Sequence, residues 1–191
     1  MAYQTYITEA LVCGSYDSNT SDRSFLLFSR EAGMIHAHAK SVREERSKQR
    51  YALQSCSHVR ATLVRGKSGW RIAGVEPYQN LYALAGTREA RAFLRNIILL
   101  VRRVIHGETL YEKIFDDIIG TCMQVGKHDP SKLESILTLR ILHALGYVAP
   151  HESYNEFLHG AFPYEKVNFL SENEEKACRE ATDHALMQSQ L

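Results

Sequence analysis

The sequence predicts a small closed β-barrel followed by a helical bundle, and three observations favour this fold class. Roughly the first 75 residues contain five short stretches of strand-forming residues separated by turn residues. Beyond Pro77 the apolar period changes from two to about 3.6, which is typical of helices. The composition, with 45% apolar and 24% charged residues, is that of an ordinary globular protein.

The five predicted strands alternate with short turns. Residues 17–22, DSNTSD, form a turn cluster after the first strand, and Gly33 closes a hairpin between the second and third. Residues 66–69 form a second hairpin that contains two glycines. The strands are expected at residues 6–16, 24–30, 34–40, 57–65 and 70–76.

Helix boundaries in the second half are marked by residues that cap helices. The N-terminal capping residues are Thr87, Asp129 followed by Pro130, and Ser171 in the capping box Ser171–Glu174. Gly107 and Gly146 are expected to end helices. The helices are therefore predicted over residues 87–106, 108–125, 129–146 and from 171 onwards. We predict a barrel domain at residues 1–80 and a helical domain at residues 81–191.

The two halves of the chain carry opposite charge. Residues 1–105 contain 16 Lys and Arg against 8 Asp and Glu, whereas residues 106–191 contain 7 against 14. We interpret the basic half as meeting a polyanion and the acidic half as meeting a different partner or the solvent.

The most basic segment is the loop after the third strand. Residues 40–50 contain five Lys and Arg against two Glu, with no apolar period. A solvated cationic loop is the expected structure, and a surface turn without function is the alternative interpretation. His36 and His38 project from one face of the preceding strand and are expected to face outward beside Lys40, towards solvent or phosphate rather than a metal.

Several classes of protein do not fit the sequence. The four cysteines lie far apart without a CxxC pair, which fits neither a disulfide framework nor a zinc knuckle. No run of about 18 apolar residues is present, and the N-terminus lacks the apolar region of a signal peptide. We find no nucleophile constellation and no phosphate-cradling glycine loop. We therefore expect a soluble cytoplasmic protein that is not an enzyme and has no cofactor.

Several short motifs occur in a characteristic order along the chain. They are Ser21-Asp22-Arg23, Ser29-Arg30-Glu31-Ala32-Gly33, Lys40 with Arg43, Ala52-Leu53-Gln54, and LRILHALGY at residues 139–147. The ordered set resembles the RecO family of recombination mediator proteins. This chain departs from the family pattern in three places: Ser41 replaces a glycine, Glu44 replaces a frequent arginine, and residues 149–160 replace a four-cysteine zinc module. It is expected to be a short, zinc-less member.

The resemblance implies a fold and a function. It implies an N-terminal OB-fold, a helical C-terminal domain and no catalytic chemistry. Such a protein binds single- and double-stranded DNA and anneals complementary strands. With a RecR-type partner it helps to load recombinase onto strands coated by single-strand-binding protein, whose C-terminal tail it recognises. The expected location is the cytoplasm, in association with the nucleoid, without a membrane contact.

An OB barrel binds strands through a cationic groove with aromatic platforms. The predicted DNA-binding residues are Lys40, Arg43, Arg46, Lys48, Arg50, Arg23, Arg65 and Arg71, with Arg60 and Lys67 as extensions. Trp70, Tyr51 and Tyr16 are stacking candidates, but the cations are the stronger prediction because aromatic residues on strands are commonly core residues. Two alternatives stay open: an OB-fold module for structured RNA, and a protein-interaction scaffold without nucleic-acid binding.

Overall fold

The computed structural model describes residues 4–17, 20–67 and 69–188. Residues 18, 19 and 68, which belong to two of the predicted turns, lie outside these ranges. The chain divides into two units. The first is Met1–Leu84 with Ile105–Phe115, and the second is Ala85–Val104 with Asp116–Leu191. The domain boundary at residue 80 stays a prediction.

The first unit is built on a closed five-stranded barrel. Its strands are β1 (Thr5–Asp17), β2 (Arg23–Ser29), β3 (Gly33–Ala39), β4 (Ser57–Gly66) and β5 (Gly69–Asn80). The strand order around the barrel is β1-β2-β3-β5-β4, and all neighbours are antiparallel except β3 and β5. This is an OB-fold followed by helices, so the predicted fold class is confirmed.

Alternating residues of the strands fill the barrel interior. On β3, Ile35, Ala37 and Ala39 are buried, while His36 is exposed and His38 is half-buried. The prediction that the two histidines face outward is therefore confirmed. The buried interior residues are Ala10, Val12, Phe25, Leu27, Ile35, Ala37, Ala39, Val59, Ala61, Leu63, Trp70 and Ile72.

The fifth strand is longer than the sequence predicted. The expected end at Glu76 is wrong, because β5 continues through Pro77 to Asn80. The register of the β4–β5 ladder shifts between His58 and Val59, where Pro77 lies opposite Val59. A bulge tolerates a residue without a backbone N–H, so the proline interrupts neither strand.

Short and long helices account for most of the remaining chain. They are α1 (Gln49–Ala52), α2 (Leu81–Leu84), α3 (Arg88–Val104), α4 (Glu112–Gln124), α5 (Pro130–Ala144), α6 (Asn155–Leu158), α7 (Tyr164–Val167) and α8 (Glu172–Gln188). All three predicted caps are confirmed. Thr87 Oγ1 accepts from Ala90 N, Asp129 Oδ1 accepts from Ser131 N, and the Ser171 and Glu174 side chains bond each other's backbone N–H.

The helix predicted from Glu108 begins later, at Glu112. Residues 105–111 are not helical because their backbone contacts the β2–β3 turn instead. The Gly107 carbonyl accepts a hydrogen bond from Met34 N at 2.9 Å. A Cβ atom on Gly33, whose φ is 65°, would lie 2.4 Å from the Thr109 carbonyl oxygen. Gly33 is therefore required both by the turn and by the segment that packs on it.

Arg140 on α5 is a buried cation in the second unit. Its guanidinium bonds the Asp117 carboxylate at 2.9 Å and donates to the carbonyls of Phe157 at 2.7 Å and Gly160 at 2.9 Å. Because its side chain is only 2% exposed, these partners replace the water that the guanidinium loses on burial. The buried pair stabilises the path of residues 157–160.

Candidate nucleic-acid interface

The basic loop after β3 is held in place by the turn that precedes β2. Asp22 Oδ1 accepts from Ser41 N at 2.7 Å, and Asp22 Oδ2 lies 3.3 Å from His38 Nε2. The Ser21 carbonyl accepts from Arg43 N at 3.1 Å. Side chain and backbone of this turn therefore fix the direction in which the loop leaves the barrel.

Ser41 occupies a left-handed backbone conformation, with φ at 51°. Glycine adopts this region without steric strain, whereas other residues adopt it at a cost. This gives a physical reason for the glycine expected at this position in the resembled family. Asp22 holds the conformation here despite the serine side chain.

A groove runs along the junction of β3 and β5, and we call it the β3–β5 groove. It has a volume of about 610 Å³. Its lining residues are Ser24, His38, Lys40, Val64, Gly66, Lys67, Gly69, Trp70 and Arg71. The described residues of this lining include three cations and no carboxylate, so its charge suits an anion.

A smaller concavity, which we call the arginine pocket, lies at the end of the β2–β3 ladder, on the side opposite to the β3–β5 groove. It has a volume of about 240 Å³ and is lined by Arg23, Phe25, Val42, Arg43, Arg50 and Leu53. Asp17 contacts Arg23 at 2.8 Å and Arg43 at 3.7 Å, and this carboxylate is more than half exposed. Three guanidinium groups thus surround one opening.

The other predicted cations do not line either concavity. Arg46 is 89% exposed and pairs with Glu44, and Lys48 is exposed. Hydrogen bonds from Ser41 and Arg46 lower the pKa of the Glu44 carboxyl, so this acid offsets part of the loop's charge. Arg60 lies opposite Glu9 on β1 and Glu76 on β5, with no side-chain role in either concavity.

Arg65 is held by an acid that sequence reasoning did not single out. Its guanidinium bonds Glu108 Oε2, and its guanidinium carbon lies 4.8 Å from the centroid of the Trp70 ring. Trp70 Nε1 donates to Glu108 Oε1 at 2.9 Å. Partial burial opposes ionisation of Glu108, but the bonds from Trp70 and Arg65 outweigh it and lower the pKa of its carboxyl. Only the fold of residues 105–111 brings Glu108 here, so no local sequence signal could have revealed it.

The three stacking candidates have different surroundings. Trp70 is 9% exposed and packs edge-on against Tyr6, with ring centroids 5.1 Å apart. It is therefore mainly a barrel residue. Tyr51 is 64% exposed, and the Arg50 guanidinium carbon lies 4.9 Å from its ring centroid. Tyr16 is also exposed. Tyr51 and Tyr16 are therefore the more accessible of the three rings.

Comparison with known proteins shows which family the chain resembles. The family model described as "Recombination protein O N terminal" matches residues 1–80. A protein named "DNA repair protein RecO" from Desulfitobacterium hafniense is 29% identical over 145 residues, which cover 74% of this chain and 52% of that protein. Residues 1–80 thus match the RecO N-terminal domain, and most of the chain resembles RecO proteins. Further proteins with this name resemble it: that of Heliobacterium modesticaldum is 35% identical over 81 residues (42% and 30% of the two chains), and that of Alkaliphilus metalliredigens is 24% identical over 146 residues (75% and 59%).

The chain spans about half the length of the RecO relatives it matches. The RecO motifs in it have local structural roles. Ser29 Oγ accepts from Ala32 N at 3.0 Å in the β2–β3 turn, and Gly33 takes the positive φ that closes it. At residues 139–147, Arg140 is the buried cation and Gly146, with φ at 82°, ends the helix. Tyr147 N and Gly146 N then bond the carbonyls of Leu142 and His143, which is a Schellman motif.

Residues 149–160, where the resembled family is expected to carry a zinc module, contain no cysteine. Within residues 4–17, 20–67 and 69–188, no group of three His, Cys, Asp or Glu side chains is arranged to hold a metal ion. All four cysteines are buried thiols outside any disulfide. Burial raises the pKa of the Cys56 thiol, and burial together with Glu174 and Glu175 raises that of Cys178 to about 11. Both thiols are thus protonated and unreactive at neutral pH.

In the described part of the chain, no helix is long and apolar enough to cross a membrane.

Proposed function

We propose that this chain acts in DNA repair and recombination as a mediator that binds single- and double-stranded DNA and anneals complementary strands. Its OB barrel holds the phosphates through the β3–β5 groove and the arginine pocket. The protein binds and positions strands and catalyses no covalent step.

One observation carries this proposal. Six cations, Lys40, Lys67, Arg71, Arg23, Arg43 and Arg50, line two neighbouring concavities on the barrel. They come from β2, β5, α1 and the connecting loops, including the loop that follows β3. In OB-folds the β2–β3 face and the adjacent loops bind oligonucleotides. The convergence matters because the charges are separated in sequence by up to about 50 residues and meet only through the fold.

The partners follow from the family. RecO relatives are named DNA repair proteins. We infer that this chain works with a RecR-type mediator and recognises the C-terminal tail of single-strand-binding protein, so that recombinase is loaded onto coated strands. We infer action at the nucleoid, where these partners meet DNA.

A comparison of three nucleic acids tests the proposal against its alternatives. Single-stranded DNA, duplex DNA and RNA of one sequence are titrated with the protein at several salt concentrations, and annealing of complementary DNA strands is followed in parallel. Because about six phosphates are neutralised, we expect the slope of log affinity against log salt on single-stranded DNA to be about −4. We also expect complementary DNA strands to anneal faster with the protein than without it.

Two results would overturn the proposal. Binding to RNA with little binding to either DNA would favour an RNA module. Absence of salt-dependent binding to all three nucleic acids would favour an interaction scaffold. In both cases a thermal melt with a single cooperative transition serves as the control that the protein is folded.

A further inference from the structure

The contact among Arg65, Trp70 and Glu108 has the chemistry of an occupied anion site. One carboxylate oxygen bonds the Arg65 guanidinium, and the other accepts from the Trp70 indole N–H at 2.9 Å. The guanidinium also lies over the indole ring, with 4.8 Å between its carbon and the ring centroid. Two planar donors thus converge on one anion, an arrangement that carboxylates and phosphates both satisfy.

The site adjoins the β3–β5 groove. Arg65 directly precedes the β4–β5 hairpin, and Trp70 lines the groove together with Lys67 and Arg71. A strand that follows the cations of the groove therefore comes next to the pair of donors that Glu108 occupies.

The backbone that carries Glu108 is fixed, but the carboxylate itself is accessible. Gly107 is bonded to Met34 N, and Thr109 packs directly on Gly33. In contrast, the Glu108 side chain is 41% exposed and that of Arg65 is 50% exposed. Rotation of two side chains can open the ion pair without disturbing the segment, and an exposed ion pair is weak.

We propose that Arg65 and the Trp70 indole N–H form an additional phosphate subsite for a nucleic-acid strand, and that Glu108 is its built-in competitor. A backbone phosphate displaces the Glu108 carboxylate and takes its two donors. The inference rests on the proposed function, because it assigns one further phosphate contact to the same strand.

The test is a gain of affinity. In the variant Glu108→Gln the competing side chain loses its charge. The probe is an oligothymidylate of about 12 nucleotides, a length within the range that one OB-fold binds. We expect up to about fivefold tighter binding, the upper value for release of an exposed ion pair. The salt slope should steepen by up to about 0.7, because in the parent the displaced Glu108 carboxylate offsets the phosphate charge that Arg65 neutralises, whereas in the variant it does not.

Two further variants separate this effect from a general change of charge. Glu112→Gln removes the same charge from an exposed residue four positions along the chain. It should change affinity less than about twofold, because Glu108 and not Glu112 bonds Arg65 and Trp70, and salt screens exposed charges. Arg65→Ala combined with Glu108→Gln should abolish the gain. Trp70 is the single tryptophan of the chain. Its fluorescence therefore reports on the loss of its hydrogen bond to the Glu108 carboxylate when the oligonucleotide binds.

The outcomes distinguish this inference from the proposed function. If the parent protein binds DNA with the expected salt slope but Glu108→Gln behaves like Glu112→Gln, the subsite is contradicted and the proposed function stands. If the gain persists after Arg65→Ala, Arg65 is not its origin and the subsite is also contradicted. If no variant binds DNA, both fall together.

Discussion

Ser41 is a residue under local backbone strain next to the proposed binding site. Its φ of 51° is accessible to serine only at a cost, and Asp22 accepts its backbone N–H at 2.7 Å to hold the turn. The loop that presents Lys40 and Arg43 therefore depends on a conformation that its own residue disfavours.

Substitutions at Ser41 should rank by their tolerance of this conformation. Ser41→Gly is expected to raise the free energy of unfolding by about 0.5 kcal/mol, because the relief of left-handed strain slightly exceeds the extra entropy that glycine has when unfolded. Ser41→Val is expected to lower it by about 1 to 2 kcal/mol, since β-branched residues are outliers at positive φ. Urea denaturation of the parent and the two variants measures the order of their free energies of unfolding.

The matched control for this ranking is Ser47, which lies in the same loop. Ser47 is not among the described residues that have a positive φ. Ser47→Gly should not stabilise the protein. Equal effects of glycine at both positions would mean that strain at Ser41 is not what the substitution relieves.

Single residues were predictable from the sequence when their interactions involve only neighbouring positions in the chain. The Thr87, Asp129 and Ser171 caps were predictable because a cap involves only the next few residues. Glu108 was not predictable, because its partners Arg65 and Trp70 lie about 40 residues away and only the fold brings them together. The outward position of His36 followed from strand alternation alone.

At the scale of elements, α5 is fixed to the following segment by one buried arginine. Arg140 bonds Asp117 and the carbonyls of Phe157 and Gly160, and its guanidinium carbon lies 5.5 Å from the Phe162 ring centroid. The segment at residues 157–160 is thus held by hydrogen bonds from the Arg140 side chain to backbone carbonyls.

Removal of this cation should be costly. Arg140→Met leaves Asp117 and two carbonyls without their partner, and we expect a loss of about 3 to 5 kcal/mol in the free energy of unfolding. Arg140→Lys should restore only part of it, because an ammonium cannot reach carboxylate and carbonyls in the same planar fork. The midpoint of urea denaturation, followed by circular dichroism, provides the measurement.

Arg179 provides the comparison for Arg140. It pairs with Glu175 on α8 and is 55% exposed, so Arg179→Met should cost no more than about 1 kcal/mol. Similar losses for Arg140→Met and Arg179→Met would contradict the structural role of the buried pair.

Element boundaries were predictable where composition and spacing decided them. The five strands and the caps of α3, α5 and α8 were placed correctly to within a few residues. The short helices α1, α2, α6 and α7 were not predicted. The two misplaced boundaries have tertiary causes: a bulge carries β5 past Pro77, and contact with the β2–β3 turn keeps residues 105–111 out of α4. Neither cause is visible in the hydrophobic period.

At the scale of the whole molecule, the unequal distribution of charge has a structural counterpart. Most of the basic N-terminal half forms the barrel, and six of its cations line the β3–β5 groove and the arginine pocket. Five of the eight DNA-binding residues predicted from the sequence line one of these concavities: Lys40, Arg71, Arg23, Arg43 and Arg50. Their role in binding stays a prediction. The sequence identified the cations but could not divide them between two concavities, since strand pairing decides which side of the barrel each one faces.

The central claim is that strands bind the barrel through these concavities, and the salt slope of a matched pair of triple variants tests it most directly. One variant replaces Lys40, Lys67 and Arg71 in the groove by alanine; the other replaces Arg88, Arg95 and Arg102, which are exposed on α3, and removes the same charge. We expect the groove variant to flatten the slope on single-stranded DNA by about two, since three phosphate contacts are lost, while the α3 variant leaves it nearly unchanged. Circular dichroism spectra matching the parent would confirm that both are folded. An unchanged slope in the groove variant together with a flattened slope in the α3 variant would contradict the account and place the binding surface on α3.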